Sequence, residues 1–148
     1  MQIATESAQI QLGKKIGQLL KGGELIELKG DIGTGKTTLV KGFAQGLLIN
    51  EDVQSPSFTI SRFYKNNKGL NLFHYDFYRL NDAGIMKNEI AEVAIDGNNI
   101  VAIEWAGAVK DVLPEKRIII NIFHQENGRK IVIDAPDDFA YILEGLKK

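Results

Sequence analysis

The segment Gly-Asp-Ile-Gly-Thr-Gly-Lys-Thr at residues 30–37 constrains this chain more than any other feature. It matches the pattern G-x-x-x-x-G-K-[ST] at each fixed position, which happens by chance in roughly one chain in a hundred of such composition. An apolar strand pattern precedes it at residues 24–29, and helical spacing of apolar residues follows from Lys36. Strand, glycine-rich loop and helix in this order predict a phosphate-binding loop, called the P-loop below.

The residue types of this loop suit a nucleotide with magnesium. Glycines permit a tight turn whose backbone N–H groups point at phosphate oxygens, and the next helix aims its N-terminus at the same anion. In this pattern the lysine reaches the β- and γ-phosphates, and the hydroxyl after it binds Mg²⁺. The candidate nucleotide contacts of the loop are Asp31, Gly33, Thr34, Gly35, Lys36, Thr37 and Thr38.

A P-loop also requires an acid at the carboxyl end of a nearby strand, to hold magnesium or its waters. Glu104 follows the apolar residues 100–103, a pattern typical of a strand buried on both faces. Asp76 follows a more alternating pattern at residues 70–75. Either acid alone could be an ordinary solvated carboxylate, but a working P-loop needs at least one of them. We expect both to contribute to the metal site.

Other polar and aromatic residues are open to two interpretations. Residues 55–59, Ser-Pro-Ser-Phe-Thr, follow the P-loop helix, where many P-loop proteins place a switch segment that senses the γ-phosphate. Thr59 is then a catalytic candidate, although such a stretch is more often a plain polar loop. His74 and His124 lack metal-ligand spacing and are interpreted as structural. Core packing is favoured over a place in the site wall for Trp105.

The remaining pattern predicts a single α/β domain over residues 1–148, with a mixed, partly parallel central sheet flanked by helices. Predicted helices cover residues 5–20, 85–93 and 137–146, with Thr5 as the cap of the first. A first strand pair covers residues 58–64 and 70–78, around a turn at 66–69. A buried strand covers 99–105, and a second hairpin pairs 117–123 with 130–135.

Composition and charge argue against several classes of protein, namely those that bind nucleic acid, lie in a membrane or are secreted. The net charge of −1 gives no sign of a nucleic-acid or membrane surface, and the chain has no cysteine. No apolar run comes near the ~20 residues that span a bilayer. The N-terminal residues show no basic segment followed by an apolar run. We therefore expect a soluble, cytoplasmic protein without a membrane segment.

Four segments in order resemble one family. They are Gly-Asp-Ile-Gly-Thr-Gly-Lys-Thr-Thr at 30–38, Ser-Pro-Ser-Phe-Thr at 55–59, His-Tyr-Asp-Phe-Tyr-Arg-Leu at 74–80 and Ile-Glu-Trp at 103–105. Together they resemble the bacterial TsaE (YjeE) family, the ATPases of tRNA threonylcarbamoyladenosine biosynthesis. The resemblance implies binding of ATP or ADP with Mg²⁺, and ATP hydrolysis in support of the TsaB–TsaD transferase complex. The resemblance also implies that any contact with tRNA is indirect, through that complex.

The resemblance also implies roles for particular residues. Thr37 and Glu104 resemble the family's magnesium ligands, and Asp76 resembles the acid of its His-x-Asp-x-Tyr-Arg motif. Thr5 and Glu6 fall where the family contacts adenine and ribose. Arg129 falls near another nucleotide contact of the family.

Three other functions share the P-loop. A small-molecule kinase needs a mobile lid with arginines, whereas Arg117 and Arg129 flank a hairpin. A GTP-dependent switch needs an Asn-Lys-x-Asp motif, and Asn67-Lys68-Gly69 is not followed by the aspartate. A module that binds ATP without hydrolysis stays open, because no water-positioning base or arginine finger is identifiable.

Overall fold

The computed structural model describes residues 1–56, 59–80 and 84–148. The strands within these ranges are β1 (Gln2–Ile3), β2 (Leu25–Lys29), β3 (Ser61–Lys65), β4 (Asn71–Asp76), β5 (Asn99–Glu104), β6 (Ile118–Gln125) and β7 (Gly128–Asp134). The α-helices are α1 (Glu6–Leu19), α2 (Lys36–Gly46), α3 (Met86–Ile95) and α4 (Ala140–Leu146). Short 3₁₀ helices cover Ala106–Val112 and Asp137–Phe139. None of the described helices is long and apolar enough to cross a membrane.

All strands join one mixed sheet in the order β1-β7-β6-β2-β5-β4-β3. The central strand β2 is parallel to β5 and β6, and β5 is parallel to β4. The outer pairs β3–β4, β6–β7 and β1–β7 are antiparallel. The predicted α/β class with a partly parallel sheet is confirmed. The carboxyl ends of β2, β4 and β5 meet at one edge, which is where ligands bind in such sheets.

Each face of the sheet is covered by its own helices. One face packs on α1, α2 and α4 through buried side chains that include Ile16, Phe43 and Ile142. The other face packs on α3 and on the 3₁₀ helix Ala106–Val112 through Ile90 and Val109. Since α2 begins at the end of the P-loop, the first face is the one that carries the loop.

Glycines bring α1 unusually close to α2. A Cβ atom on Gly42 would lie 2.4 Å from the carbonyl oxygen of Ile10, and one on Gly17 would lie 2.3 Å from that of Phe43. No side chain fits at either position without moving backbone. The close packing holds the N-terminus of α1 beside the P-loop. The Thr5 cap is confirmed, because its Oγ1 accepts the N–H of Ala8 at 3.0 Å.

The structure differs from the sequence predictions at several element ends. The predicted strand at 58–64 begins only at Ser61, after a bend in which Ile60 has φ of +69°, and Phe58 lies outside the described residues. The predicted helix at 137–146 starts as the 3₁₀ turn Asp137–Phe139 and becomes α-helical at Ala140.

Two short elements were not predicted at all. The strand β1 has only two residues, too few for any periodicity, and exists because the edge of β7 is available for pairing. The 3₁₀ helix Ala106–Val112 also went unpredicted. Both predicted hairpins are confirmed, β3–β4 and β6–β7.

Candidate nucleotide site

The P-loop connects the end of β2 to the first residue of α2. Gly33 and Gly35 have φ of +79° and +94°, in the left-handed region that favours glycine. A Cβ atom on Gly33 would meet nothing within 4 Å, whereas one on Gly35 would lie 2.5 Å from the side-chain nitrogen of Gln9. Gly35 has no side chain to cap α2, so the first N–H groups of this helix are available to an anion. The loop therefore has the backbone shape of a phosphate cradle.

Two side chains from outside the loop hold its carbonyl oxygens. The amide nitrogen of Gln9 on α1, only 4% exposed, donates to the carbonyls of Thr34 at 3.1 Å and Gly35 at 2.8 Å. The guanidinium of Arg129 on β7 donates from Nε to Thr34 at 3.2 Å and from Nη2 to Gly33 at 3.0 Å. We call Gln9 and Arg129 the carbonyl clasp. Because it fixes the direction of three peptide groups, it stabilises the loop conformation before any ligand binds.

Lys36 is folded back into the loop. Its ammonium group donates to the carbonyls of Gly30 at 2.7 Å and Asp31 at 2.9 Å, and lies 4.6 Å from the ring centroid of Trp105. Burial lowers the pKa of Lys36 from its ordinary value of 10.5, and the nearby carboxylates of Glu104, Asp76 and Asp31 partly oppose this. A phosphate in the loop would take over the bonds that the ammonium now makes to backbone oxygens.

The two predicted acids end neighbouring parallel strands. Asp76 on β4 is directly opposite Glu104 on β5, and both side chains are buried. The hydroxyl of Thr37 donates to Oε2 of Glu104 at 3.0 Å. Oδ1 of Asp76 accepts the N–H of Tyr78 at 2.9 Å. The fold therefore joins all three predicted metal ligands at the edge of the sheet.

Two of the hollows that border the P-loop contain most of the predicted site residues. The phosphate cleft, about 310 Å³ in volume, is lined by Ile32, Gly33, Lys36, Ser55, Asp76, Tyr78, Arg79, Glu104 and Trp105. The α1 pocket, about 300 Å³, is lined by Ile3, Ala4, Thr5, Glu6, Gln9, Gly33, Gly35, Thr38, Gly128 and Arg129. Lys36, Asp76 and Glu104 thus line the phosphate cleft, whereas Thr5, Glu6 and Arg129 line the α1 pocket. The loop residue Gly33 borders both hollows.

One predicted catalytic residue is not brought to this site. Thr59 is exposed, and its hydroxyl donates to the carbonyl of Ser61 at 3.1 Å rather than facing the cleft. Ser55, four positions earlier in the same predicted switch segment, does line the cleft. Ser57 and Phe58 lie outside the described residues. A role for Thr59 therefore stays a prediction.

Two residues of the site were not predicted to belong to it, and for a third, Trp105, a place in the site wall was the less favoured of two interpretations. His74, interpreted as only structural, is fully buried with Nε2 2.5 Å from Oε2 of Glu104. No role was predicted for Gln9, which lies within the predicted helix at 5–20. Trp105 packs on the core as predicted, but its ring also lines the cleft beside Tyr78, with 4.9 Å between ring centroids. The available signal for His74 was its position two residues before Asp76, on the same face of a strand.

The donor set suits magnesium. Mg²⁺ takes oxygen ligands, keeps several waters and is completed by phosphate oxygens. Thr37, Asp76 and Glu104 offer one hydroxyl and two carboxylates beside the phosphate cradle. Across the described ranges, no cluster of three or more His, Asp or Glu side chains forms a full metal cage. Such a partial set is what a magnesium ion shared with a nucleotide requires.

The loop between β2 and α2, with acids at the ends of adjacent parallel strands, defines the P-loop class of nucleotide-binding proteins. Comparison with known sequences narrows the class. The sequence model described as "Threonylcarbamoyl adenosine biosynthesis protein TsaE" matches residues 3–131. The chain belongs to the TsaE family.

Individual relatives agree with this assignment. The chain is 32% identical over 138 residues to the Haemophilus influenzae tRNA threonylcarbamoyladenosine biosynthesis protein TsaE, covering 90% of this chain and 87% of that one. It is 36% identical over 137 residues to the TsaE of Treponema pallidum, covering 91% and 100%. A crystal structure of Bacillus subtilis YdiB superposes with a TM-score of 0.79 at 29% identity, covering 99% of this chain and 92% of that one.

Proposed function

We propose that this chain is a magnesium-dependent ATPase of the cytoplasm that supports threonylcarbamoyladenosine formation in tRNA together with the TsaB–TsaD complex. The observation that carries the ATPase assignment is the meeting of Lys36, Thr37, Asp76 and Glu104 at one cleft beside the P-loop. The tRNA pathway rests on membership of the TsaE family and on the names of its relatives.

Each side of the loop has its own task in this proposal. The α1 pocket receives the adenosine next to Thr5 and Glu6, and the phosphates continue along the loop into the phosphate cleft. Lys36 exchanges its bonds to backbone carbonyls for bonds to the β- and γ-phosphates. Thr37, Asp76 and Glu104 hold the metal. Bound magnesium supplies charge neutralisation on the phosphates.

Slow hydrolysis without a partner follows from how the acids are engaged. Glu104 accepts from Thr37, and Asp76 accepts from the backbone of Tyr78, so neither is displayed as a free base for water. Arg79 lines the cleft from an exposed position. In P-loop GTPases, a partner that supplies or orders such a group raises the rate by ~10³ to 10⁵. The exposed side chains of Ile32 and Tyr78 at the rim give a partner apolar surface to cover.

The placement of Arg117 and Arg129 argues against a small-molecule kinase. Nε of Arg117 donates to Oε2 of the buried Glu27 on β2 at 2.8 Å. Arg129 is committed to P-loop carbonyls. Neither residue is placed to close over the phosphates of a second substrate.

Phosphate release measured at steady state tests the proposal. The chain alone should release phosphate slowly, and the rate should rise when TsaB, TsaD and tRNA are added. A Lys36→Ala variant, shown to be folded by circular dichroism, is the background control in both mixtures. Full-rate hydrolysis by the chain alone, or transfer of phosphate to a small metabolite, would overturn the partner-dependent ATPase.

A further inference from the structure

The most informative contact outside the predicted site is between His74 and Glu104. The ring of His74 has no exposed surface, and its Nε2 lies 2.5 Å from Oε2 of Glu104. The same oxygen accepts the hydroxyl of Thr37 at 3.0 Å. One carboxylate oxygen is therefore held from the P-loop helix on one side and from β4 on the other.

The sheet register explains why the histidine can reach this carboxylate. His74 pairs with Ala102, and Asp76 pairs with Glu104, on the parallel strands β4 and β5. Residues two apart on a strand share a face, so all four side chains lie on the α1–α2 face of the sheet. The imidazole thus lies along the sheet behind the two acids, at the base of the metal site.

The hydrogen-bonding pattern identifies which ring nitrogen of His74 carries the hydrogen. A carboxylate only accepts, so Nε2 must carry the hydrogen that joins His74 to Glu104. Nδ1 is buried and has no hydrogen-bond partner among the described residues. A hydrogen on Nδ1 would bury a donor without an acceptor, at a cost of about 1–3 kcal/mol. The neutral ring with its hydrogen on Nε2 is the form that fits.

We propose that His74 is a positioning residue that holds the Glu104 carboxylate in the orientation that binds magnesium. This inference rests on the proposed function, because it assigns the histidine a task at the same metal site. Donors behind a metal-binding carboxylate commonly change metal affinity by about 10- to 100-fold when removed, because the ligand then rotates away from its binding orientation. His74 is the structural reason that Glu104 faces Thr37 before any nucleotide arrives.

Paired variants separate this task from simple packing. His74→Leu removes the donor and keeps an apolar side chain, whereas His74→Gln offers an amide nitrogen at nearly the position of Nε2. The matched control is Leu72→Ala, two residues earlier on the same face of β4 and fully buried, which loses core packing away from Glu104. Thermal denaturation checks that each variant is folded.

The readout is the affinity for ADP by isothermal titration, once with Mg²⁺ and once with EDTA. His74→Leu should reduce the strengthening of ADP binding by Mg²⁺ about 10-fold or more, with the EDTA value unchanged. His74→Gln and Leu72→Ala should both keep the wild-type response to Mg²⁺. A folded His74→Leu variant with the wild-type response, or loss of response in Leu72→Ala to the same degree, would overturn the proposal.

A measurement on the unaltered protein covers the case in which His74→Leu does not fold. Long-range ¹H–¹⁵N correlation spectra report which ring nitrogen of a histidine carries hydrogen. The proposal requires the Nε2–H form for His74 at neutral pH, and a shift of its ring nitrogens when Mg²⁺ and ADP bind. The Nδ1–H form would contradict it. Failure of the wild-type chain to bind ADP at all would instead count against the proposed function.

Discussion

The two sides of the P-loop are built in different ways. Toward the α1 pocket, the carbonyl clasp of Gln9 and Arg129 satisfies the loop with hydrogen bonds that need no ligand. Toward the phosphate cleft, the ammonium of Lys36 faces the buried carboxylates of Asp76 and Glu104. The clasp side is complete as it stands, whereas the cleft side gathers charged side chains of both signs, Lys36 and Arg79 with Asp76 and Glu104.

This difference between the two sides indicates which of them would contribute more to the free energy of ligand binding. The clasp side is preorganised, so under the proposed function it would lower the entropic cost of nucleotide binding and keep its conformation when the nucleotide binds. The cleft side has charges that a divalent cation and phosphates would complement, so under the proposed function the largest gain in binding free energy would arise there. Substitutions on the two sides should consequently differ in size and in their dependence on Mg²⁺.

The largest loss is expected for Lys36→Ala. Removing a charge-assisted contact to phosphate should weaken ATP binding about 10- to 100-fold, as expected for one hydrogen-bonded charge. Isothermal titration measures it, with Lys41→Ala on the same helix as the control. A folded Lys36→Ala protein with wild-type affinity would remove the phosphate role from the cleft side altogether.

The next largest effect is expected for substitution of the two acids, Glu104 and Asp76. Glu104→Gln and Asp76→Asn keep side-chain volume and remove charge, so Mg²⁺-dependent hydrolysis should fall by at least about tenfold, with a smaller effect on stability. The matched control is Glu27→Gln, a buried carboxylate on β2 that is paired with Arg117 away from the cleft. If both cleft variants hydrolyse ATP at the wild-type rate, the metal assignment is wrong.

A substitution in the carbonyl clasp should weaken ADP binding by a smaller factor, and this loss should not depend on magnesium. Gln9→Leu removes two hydrogen bonds to loop carbonyls, each worth about 1 kcal/mol, so ADP affinity should fall about fivefold or more, equally with Mg²⁺ and with EDTA. Arg117→Ala, which breaks a hydrogen-bonded pair on the far part of the sheet, serves as the control. A loss seen only with Mg²⁺ would show that the two sides are not independent.

The smallest effect near neutral pH concerns the charge of Lys36. Burial lowers its pKa below 10.5, so in the free protein the ammonium loses its proton earlier than an ordinary lysine as pH rises. Only the charged form binds phosphate well, so ADP affinity should fall through that alkaline range, and binding there should take up protons. Titrations in two buffers of different ionisation enthalpy measure this uptake. No uptake anywhere below pH 10.5 would contradict it.

The sequence alone identified the features of this protein that lie within one continuous segment of the chain. The P-loop is a continuous segment, so its glycines, lysine and threonine were identifiable with their neighbouring strand and helix. Glu104 and Asp76 were predicted because parallel strands end at a shared edge, and the structure places them opposite each other. The adenosine contacts proposed for Thr5 and Glu6 came from the family resemblance, and the fold places both residues in one pocket.

Tertiary structure alone decided which side chains support these residues. Gln9 lies 25 positions from Thr34, and His74 lies 30 positions from Glu104. Because the partners are so far apart in sequence, neither contact produces a periodic pattern from which it could be predicted. The first arises because glycines let α1 approach α2, and the second because β4 lies beside β5 in a register that pairs His74 with Ala102. Sequence pattern reports the neighbours within a turn or a strand. Contacts that depend on strand order and helix packing form only when distant segments fold against each other.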